Sequence, residues 1–247
     1  MSLPKDERKP AVRALWRYGW VIAVSVVGGG VLVGTVVPSV FRTSSMATPV
    51  IVRTTTRAGQ LVSAPQVSFS GVSWRDYHGV LLPYSAEDGP RHVNGDLAEG
   101  FARTPRGALL AAVHIVVRAD VRWGPTVFEP TIERQIIGPD TEALLASTRE
   151  TYDKRRGDRR YGEALGRGYV VLEGFRWQGY SPEAASLDLV SAGPGDSDVT
   201  ARAVTRIQLR WQGGDWRVLA PPGGAWAGTA SPAESADGYV RFPGGGG

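Results

Sequence analysis

Residues Arg206–Leu219 read RIQLRWQGGDWRVL, and apolar and polar side chains alternate in the first half of this stretch. An alternation with a period of two is typical of a β-strand that has one face on a core. The pattern extends back to Val199, so we expect an apolar face with Val199, Ala201, Ala203, Thr205, Ile207, Leu209 and Trp211, and a polar face with Arg202, Arg206, Gln208 and Arg210. Gly213 and Gly214 supply the positive φ angles of a tight turn. The stretch therefore predicts an antiparallel hairpin with Trp211 on its core side.

Two segments upstream of the hairpin alternate in the same way and predict further strands, Tyr169–Trp177 and Ala185–Leu189. Before Gly168 the apolar residues are instead spaced as in helices. Residues 69–105 carry scattered turn signals and predict irregular structure with one strand.

Thr104-Pro105 predicts the start of a helix, because a Thr side chain caps free N–H groups and Pro has none to satisfy. We expect this helix over Arg106–Ala119, where it is apolar nearly all round and therefore central. A second short helix is expected after Pro130, from Ile132 to Ile137, and a third from Gly138-Pro139-Asp140 onward. Helices followed by antiparallel strands predict an α+β domain of about three helices packed on a curved antiparallel sheet.

The segment Tyr18–Phe41 contains no charged side chain, and it is the feature that best indicates where the protein lies in the cell. A helix of about 20 mostly apolar residues matches the thickness of a bilayer core. Basic residues are denser before this segment than after it, which puts the N-terminus in the cytoplasm. We therefore expect a cytoplasmic tail over residues 1–17, a single transmembrane helix over residues 18–41 of the cytoplasmic membrane, and everything beyond it outside.

Alternatives to a retained anchor stay open. The segment could be a cleaved signal peptide, since Ser45-Met46-Ala47 is a small-x-small site, although the apolar run is longer than usual. It could also be a buried helix. If it spans the bilayer, Gly30 and Gly34 allow another helix to approach closely, and the other interpretation is simply a glycine-rich span.

The rest of the chain divides by composition. Residues 42–68 predict an extended linker, residues 69–222 an extracytoplasmic domain, and residues 223–247, rich in Gly and Pro, a disordered tail. With 247 residues and 42% hydrophobic side chains, the chain has enough length beyond the anchor for one sizeable domain or two small ones. It contains no Cys, which excludes disulfides and Cys-ligated zinc.

The charges and motifs argue against several function classes. The net charge of +4 is mild and spread along the chain, so no direct nucleic-acid partner is expected. The three histidines have no second ligand at metal-binding spacing. No phosphate-binding loop follows a strand, and no nucleophile elbow is present. We therefore expect no catalytic residue, no metal and no cofactor.

His114 is the residue of interest, because it places an ionisable ring on the central apolar helix. It could line a cavity together with Tyr152 and Trp177, which would make a candidate pocket. The alternative is a hydrogen-bonded core histidine and two ordinary core aromatics. A cavity that holds His114 beside a carboxylate would favour a ligand-binding protein or an enzyme, whereas a closed apolar core would favour a protein that acts through its surface.

The order of helices and strands, and the closing "WQGGDW" hairpin, resemble the nuclear-transport-factor-2-like cone fold. One N-terminal span, a linker and one outer domain resemble the TcpC-like and VirB-eight-like subunits of conjugation and type IV secretion machines. The segment GFARTPRGALLAAVHIVVRAD, Gly100–Asp120, is similar to helices of proteins on actinobacterial mobile elements.

This resemblance implies a membrane scaffold without catalytic residues. It would contact other transfer or secretion subunits and form a homo-oligomer. The chain departs from family members that carry two such domains in tandem, because we expect one outer domain here. The alternative, a cone-fold ligand binder or enzyme of the cell envelope, remains open at this point.

Overall fold

The computed structural model describes residues 64–94, 96–195 and 199–244. In these residues the chain forms three α-helices and a seven-stranded, mostly antiparallel sheet, so the predicted α+β class is confirmed. The predicted transmembrane helix, with Gly30 and Gly34, lies outside the described residues, as does most of the predicted linker. Among the residues that are described, no helix combines the length and the apolar character needed to cross a bilayer.

The central helix α1, Pro105–Arg118, begins where the sequence predicts. The Thr104 hydroxyl accepts a hydrogen bond from the backbone N–H of Gly107 at 2.9 Å, as an N-cap should. Every residue from Gly107 to Arg118 is buried. Because α1 packs against strands and against a second helix at once, no face of it remains for solvent.

The second and third helices are α2, Pro125–Gln135, and α3, Thr141–Arg156. Helix α2 starts earlier than predicted, at the Gly124-Pro125 step, so Pro130 lies inside the helix instead of before it. It also ends earlier, because Ile136 and Ile137 leave the helix and pair with Val218 and Leu219 as a short parallel strand. Long-range pairing here overrides the local helical pattern.

The strands of the main sheet are β5, Ile136–Ile137; β6, Val171–Tyr180; β7, Ala184–Pro194; β8, Thr200–Gln212; β9, Asp215–Leu219; β10, Ala230–Ala233; and β11, Val240–Arg241. Their order in the sheet is β11-β6-β7-β8-β9-β5, and β10 also pairs with β8. The predicted hairpin is confirmed, with Trp211 opposite Trp216 and a turn at Gly213 and Gly214, whose φ angles are 64° and 82°. The predicted strands of β6 and β7 are confirmed as well.

The predicted core face of β8 is confirmed in its middle and departs from the prediction at both ends, because Val199 is exposed and lies outside the strand and Ala201 is only half-buried. Ile207 and Leu209 are fully buried, as expected, but Trp211 is only partly buried. The buried ring belongs to Trp216, whose indole N–H donates to the carbonyl of Ala102 at 2.9 Å. Trp211 packs edge-on against Trp216 and lies under the guanidinium of Arg103, so it covers the core instead of filling it.

The segment before α1 is more regular than predicted. It contains two hairpins, β1, Val72–Tyr77, with β2, Val80–Ser85, and β3, His92–Asn94, with β4, Leu97–Glu99. The first turn is His78-Gly79, and both residues have positive φ angles, 51° and 96°. A two-residue turn of this kind fits the twist of paired strands.

The predicted disordered tail is wrong for most of its length. Strand β10 pairs with β8, and β11 pairs with β6 on the other side of β7. Phe242 is only 2% exposed and stacks on Phe175 with ring centroids 5.7 Å apart. A few buried apolar side chains such as Phe242 hold this segment in place. The prediction missed them because it rested on the high Gly and Pro content of the segment as a whole.

Candidate functional site

The predicted pocket around His114 is closed. The ring is fully buried, its Nε2 lies 2.7 Å from the carbonyl oxygen of Pro83, and its Nδ1 lies 2.8 Å from Nη1 of Arg118. A carbonyl only accepts and a guanidinium only donates, so Nε2 carries the proton and Nδ1 accepts. Burial, and then the charge of Arg118, hold the pKa of His114 well below its ordinary value. His114 is therefore a neutral core histidine with both ring nitrogens hydrogen-bonded.

Tyr152 and Trp177 do not join His114. The Tyr152 hydroxyl donates to the carbonyl of Glu163 at 2.8 Å, and its ring packs on Phe128. The ring contacts of Trp177 are with two other aromatic residues of β6, Phe175 and Tyr180. The ring contacts of His114 are with Tyr84 and Phe101 instead. The three residues that were predicted to share a pocket thus lie in three separate parts of the core.

A groove of about 800 Å³ lies on the outer face of the sheet, the face away from the helices. Its floor is formed by β6, β7 and β8, and its wall by the segment Leu219–Tyr239. We call it the outer groove. The chain enters β10 beside β8 and leaves through β11 beside β6, so residues 234–239 must cross the sheet between them. This crossing segment gives the groove its depth.

One carboxylate organises the floor of the outer groove. Asp188 lies opposite Arg176 on β6 and opposite Arg206 on β8 in the strand register. It accepts hydrogen bonds from Arg176 at 3.2 Å, from Gln178 at 2.6 Å and from Arg206 at 2.8 Å. The Asp188 side chain is 4% exposed, whereas both arginine side chains are 50% exposed. The carboxylate therefore fixes two guanidinium groups that still face solvent.

The wall of the groove adds aromatic and carboxylate groups. The Arg176 guanidinium lies over the ring of Tyr239 at 4.7 Å, which ties the crossing segment to the floor. Trp226 and Glu234 also line the groove. Two arginines and two carboxylates, Asp188 and Glu234, make its formal charges cancel. Mixed polarity and fixed guanidinium groups suit recognition of a polypeptide surface.

Sequence reasoning placed Arg206 and Gln208 correctly on the outer face of β8 but did not identify the groove. Within the described ranges, no group of three or more His, Cys, Asp or Glu side chains is arranged to hold a metal ion. Arg176, Asp188 and Arg206 lie side by side on three neighbouring strands, and this pattern could have indicated the groove. Recognising it requires the register of the three strands, which the sequence alone does not give.

Comparison with known proteins gives one informative result. No curated protein and no solved structure matches the chain. One family model, described as a domain of unknown function (DUF8175), matches residues 41–241. The match includes every helix and strand described above. Because it spans most of the sequence, the chain belongs to the DUF8175 family.

Proposed function

We propose that this chain is a single-pass membrane scaffold of a conjugative transfer or type IV secretion complex. Residues 18–41 would anchor it with the N-terminus in the cytoplasm, and the domain would act outside by binding other subunits and further copies of itself. A cone-shaped arrangement of the helices and sheet, as in the nuclear-transport-factor-2-like fold, belongs to this proposal. The order of helices and antiparallel strands supports it.

The observation that carries the proposal is the closed core. A cone fold that binds a small molecule needs space between its helices and its sheet, and here α1 fills that space with buried side chains. His114 meets a guanidinium and a carbonyl there, not a carboxylate. This arrangement favours protein binding over an enzyme with a pocket near His114.

The outer groove is the surface that we propose for these contacts. Asp188 fixes Arg176 and Arg206 in place, so little side-chain entropy is lost when a partner pairs with them. Arginine and aromatic side chains are also the types that carry most energy at protein interfaces. A partner segment with both acidic and apolar residues would match the groove.

Site-specific photo-crosslinking tests the proposal. A photoreactive amino acid at Gln208 on the floor, or at Ser231 on the wall, should give covalent adducts with other membrane subunits of the apparatus or with a second copy. The same amino acid at Arg159, which is exposed beyond α3, is the matched control and should give few adducts. Adducts are identified by mass spectrometry. Equal labelling from all three positions, or none from Gln208 and Ser231, would contradict the proposal.

A further inference from the structure

A second cleft, of about 460 Å³, lies between the β1–β2 hairpin and the loop that leads into β3. Ser73, Arg75 and Tyr84 line one side, and Arg91 and Val93 line the other. We call it the hairpin cleft. No Asp or Glu lines it, so its two arginines leave it with a positive charge. This distinguishes it from the outer groove, whose charges cancel.

The cations of the hairpin cleft are available to a ligand. Arg75 and Arg91 are exposed, and neither forms an ion pair within the described ranges. The Arg75 guanidinium lies 4.5 Å from the ring centre of Tyr84, which holds it at the cleft. The Arg91 guanidinium donates to the carbonyl of Glu87 at 3.1 Å. Both groups are thus positioned but not neutralised.

A third cation lies behind Tyr84. Arg118 is completely buried, and its charge persists because guanidinium does not deprotonate in proteins. Its partners are His114, the Tyr84 hydroxyl at 3.5 Å and the Tyr77 ring at 4.3 Å, and its Nε has no hydrogen-bond partner. No described carboxylate pairs with it. Tyr84 therefore contacts two guanidinium groups, and among the described residues no acidic side chain forms an ion pair with the buried one.

We propose that the hairpin cleft binds a phosphate group. Guanidinium pairs with phosphate oxygens through two parallel hydrogen bonds, and two arginines balance a phosphate dianion. The Ser73 side chain adds a hydroxyl at the rim. The phosphate belongs either to a small soluble phosphate ester or to a lipid headgroup. A lipid is a natural source, because Gly71 and Ser73 lie shortly after the end of the predicted linker from the membrane.

Titration calorimetry on the full chain in neutral detergent tests the proposal at low salt, where exposed charges are least screened. Inorganic phosphate and glycerol 3-phosphate should bind with a one-to-one stoichiometry. Arg75→Gln and Arg91→Gln should each weaken binding by about tenfold or more, because each removes a charge-assisted contact. Arg134→Gln, an exposed arginine of α2, should leave it unchanged. Succinate should bind more weakly than phosphate.

Two further measurements separate a loss of phosphate binding from misfolding of the variant, and a soluble phosphate from a lipid headgroup. Arg75→Lys keeps a charge but not the planar group, so it should restore binding in part. In nanodiscs that contain phosphatidic acid, a lipid ligand should slow hydrogen exchange over residues 72–85, compared with phosphatidylcholine alone and with Arg75→Gln. Equal exchange in both lipids, with phosphate still bound, identifies a soluble phosphate. No saturable binding, equal binding of succinate, or wild-type binding by both glutamine variants would overturn the proposal.

Discussion

The pair of His114 and Arg118 shows how a fully buried cation is accommodated without a carboxylate. The two residues are one helical turn apart on α1, so the imidazole can accept from the guanidinium. The ring of Tyr77 lies against the same guanidinium and supplies its π-face. Burial is also the main reason why the pKa of the Tyr77 hydroxyl is raised. Neutral groups therefore surround a charge that cannot be removed.

Because His114 is buried and neutral, the folded domain should become less stable as the pH decreases. Its pKa is lowered in the folded state, so the unfolded chain binds a proton first, from about pH 6.5 downward. The free energy of unfolding should therefore decrease below that pH, by about 1.4 kcal/mol per pH unit. The decrease continues until the folded pKa is reached. Urea unfolding of residues 64–247 at several pH values between about 7 and 5 measures it.

Two variants make this prediction specific. His114→Gln should remove most of the slope, because no buried imidazole then remains to be protonated on unfolding. His92→Gln, at an exposed histidine, should retain it. A wild-type chain whose unfolding free energy is constant over this range would show that His114 is not held neutral.

The position of His114 on a buried helix was predictable, but its partners were only partly so. Its spacing from Arg118 is visible in the sequence as i and i+4. The Pro83 carbonyl, 31 residues away, is not, because only the packing of β2 against α1 brings it there. Tyr152 and Trp177 are buried as the alternative interpretation expected, yet burial alone did not say which part of the core each one joins.

Among the elements, the β8–β9 hairpin is tied to the helical layer by Asp215. Its carboxylate accepts hydrogen bonds from the backbone N–H groups of Gly100, Phe101 and Trp216 at 2.8 to 3.0 Å. The sequence identifies this residue only as the end of a tight turn. Its structural role depends on the loop before α1, which lies more than a hundred residues earlier.

Asp215→Ala should destabilise the domain by roughly 2 to 4 kcal/mol, because buried N–H groups would lose a charged acceptor. Asp215→Asn, which keeps one carbonyl oxygen, should lie between Ala and the wild type. Gln212→Ala, at an exposed position of the same hairpin, is the control and should change little. Chemical denaturation gives the three values. A loss for Asp215→Ala no larger than that of the control would refute the role of this carboxylate.

Elements with a strong period were predictable, and short ones were not. Helix α1 and strand β8 follow their patterns because each is long enough for one face to repeat. Strands β10 and β11 have four and two residues, and they exist because β8 and β6 offer them free edges. No local pattern encodes such an edge. The groove wall was therefore hidden from sequence reasoning together with these strands.

At the scale of the whole molecule, the outer groove is assembled from distant parts of the chain, whereas the hairpin cleft is built within residues 71–93. The groove joins residues from Arg176 to Tyr239, and the cleft joins two separate hairpins. The residue types were visible in the sequence, but their convergence depends on strand order and on the crossing segment. The closed core, in contrast, follows directly from a helix that is apolar all round.

The scaffold proposal predicts that anchor and domain are both required. A phosphatase that is active only outside the cytoplasm, fused after Gly247, should be active if residues 18–41 span the membrane with the N-terminus inside. Deletion of the gene should abolish conjugative transfer in its host. Expression of residues 42–247 without the anchor should not restore transfer, because the domain would no longer be held beside its partners.

Variants in the anchor separate its packing from its insertion. Gly30→Leu and Gly34→Leu keep the segment apolar but prevent close approach of a second helix, so they should weaken self-crosslinking while the fused phosphatase stays active. Val31→Leu, on another face, is the matched control. An inactive fusion with an intact chain would refute the topology. Normal transfer in the deletion strain would refute the scaffold role even if the topology were correct, because a required subunit cannot be absent from a working apparatus.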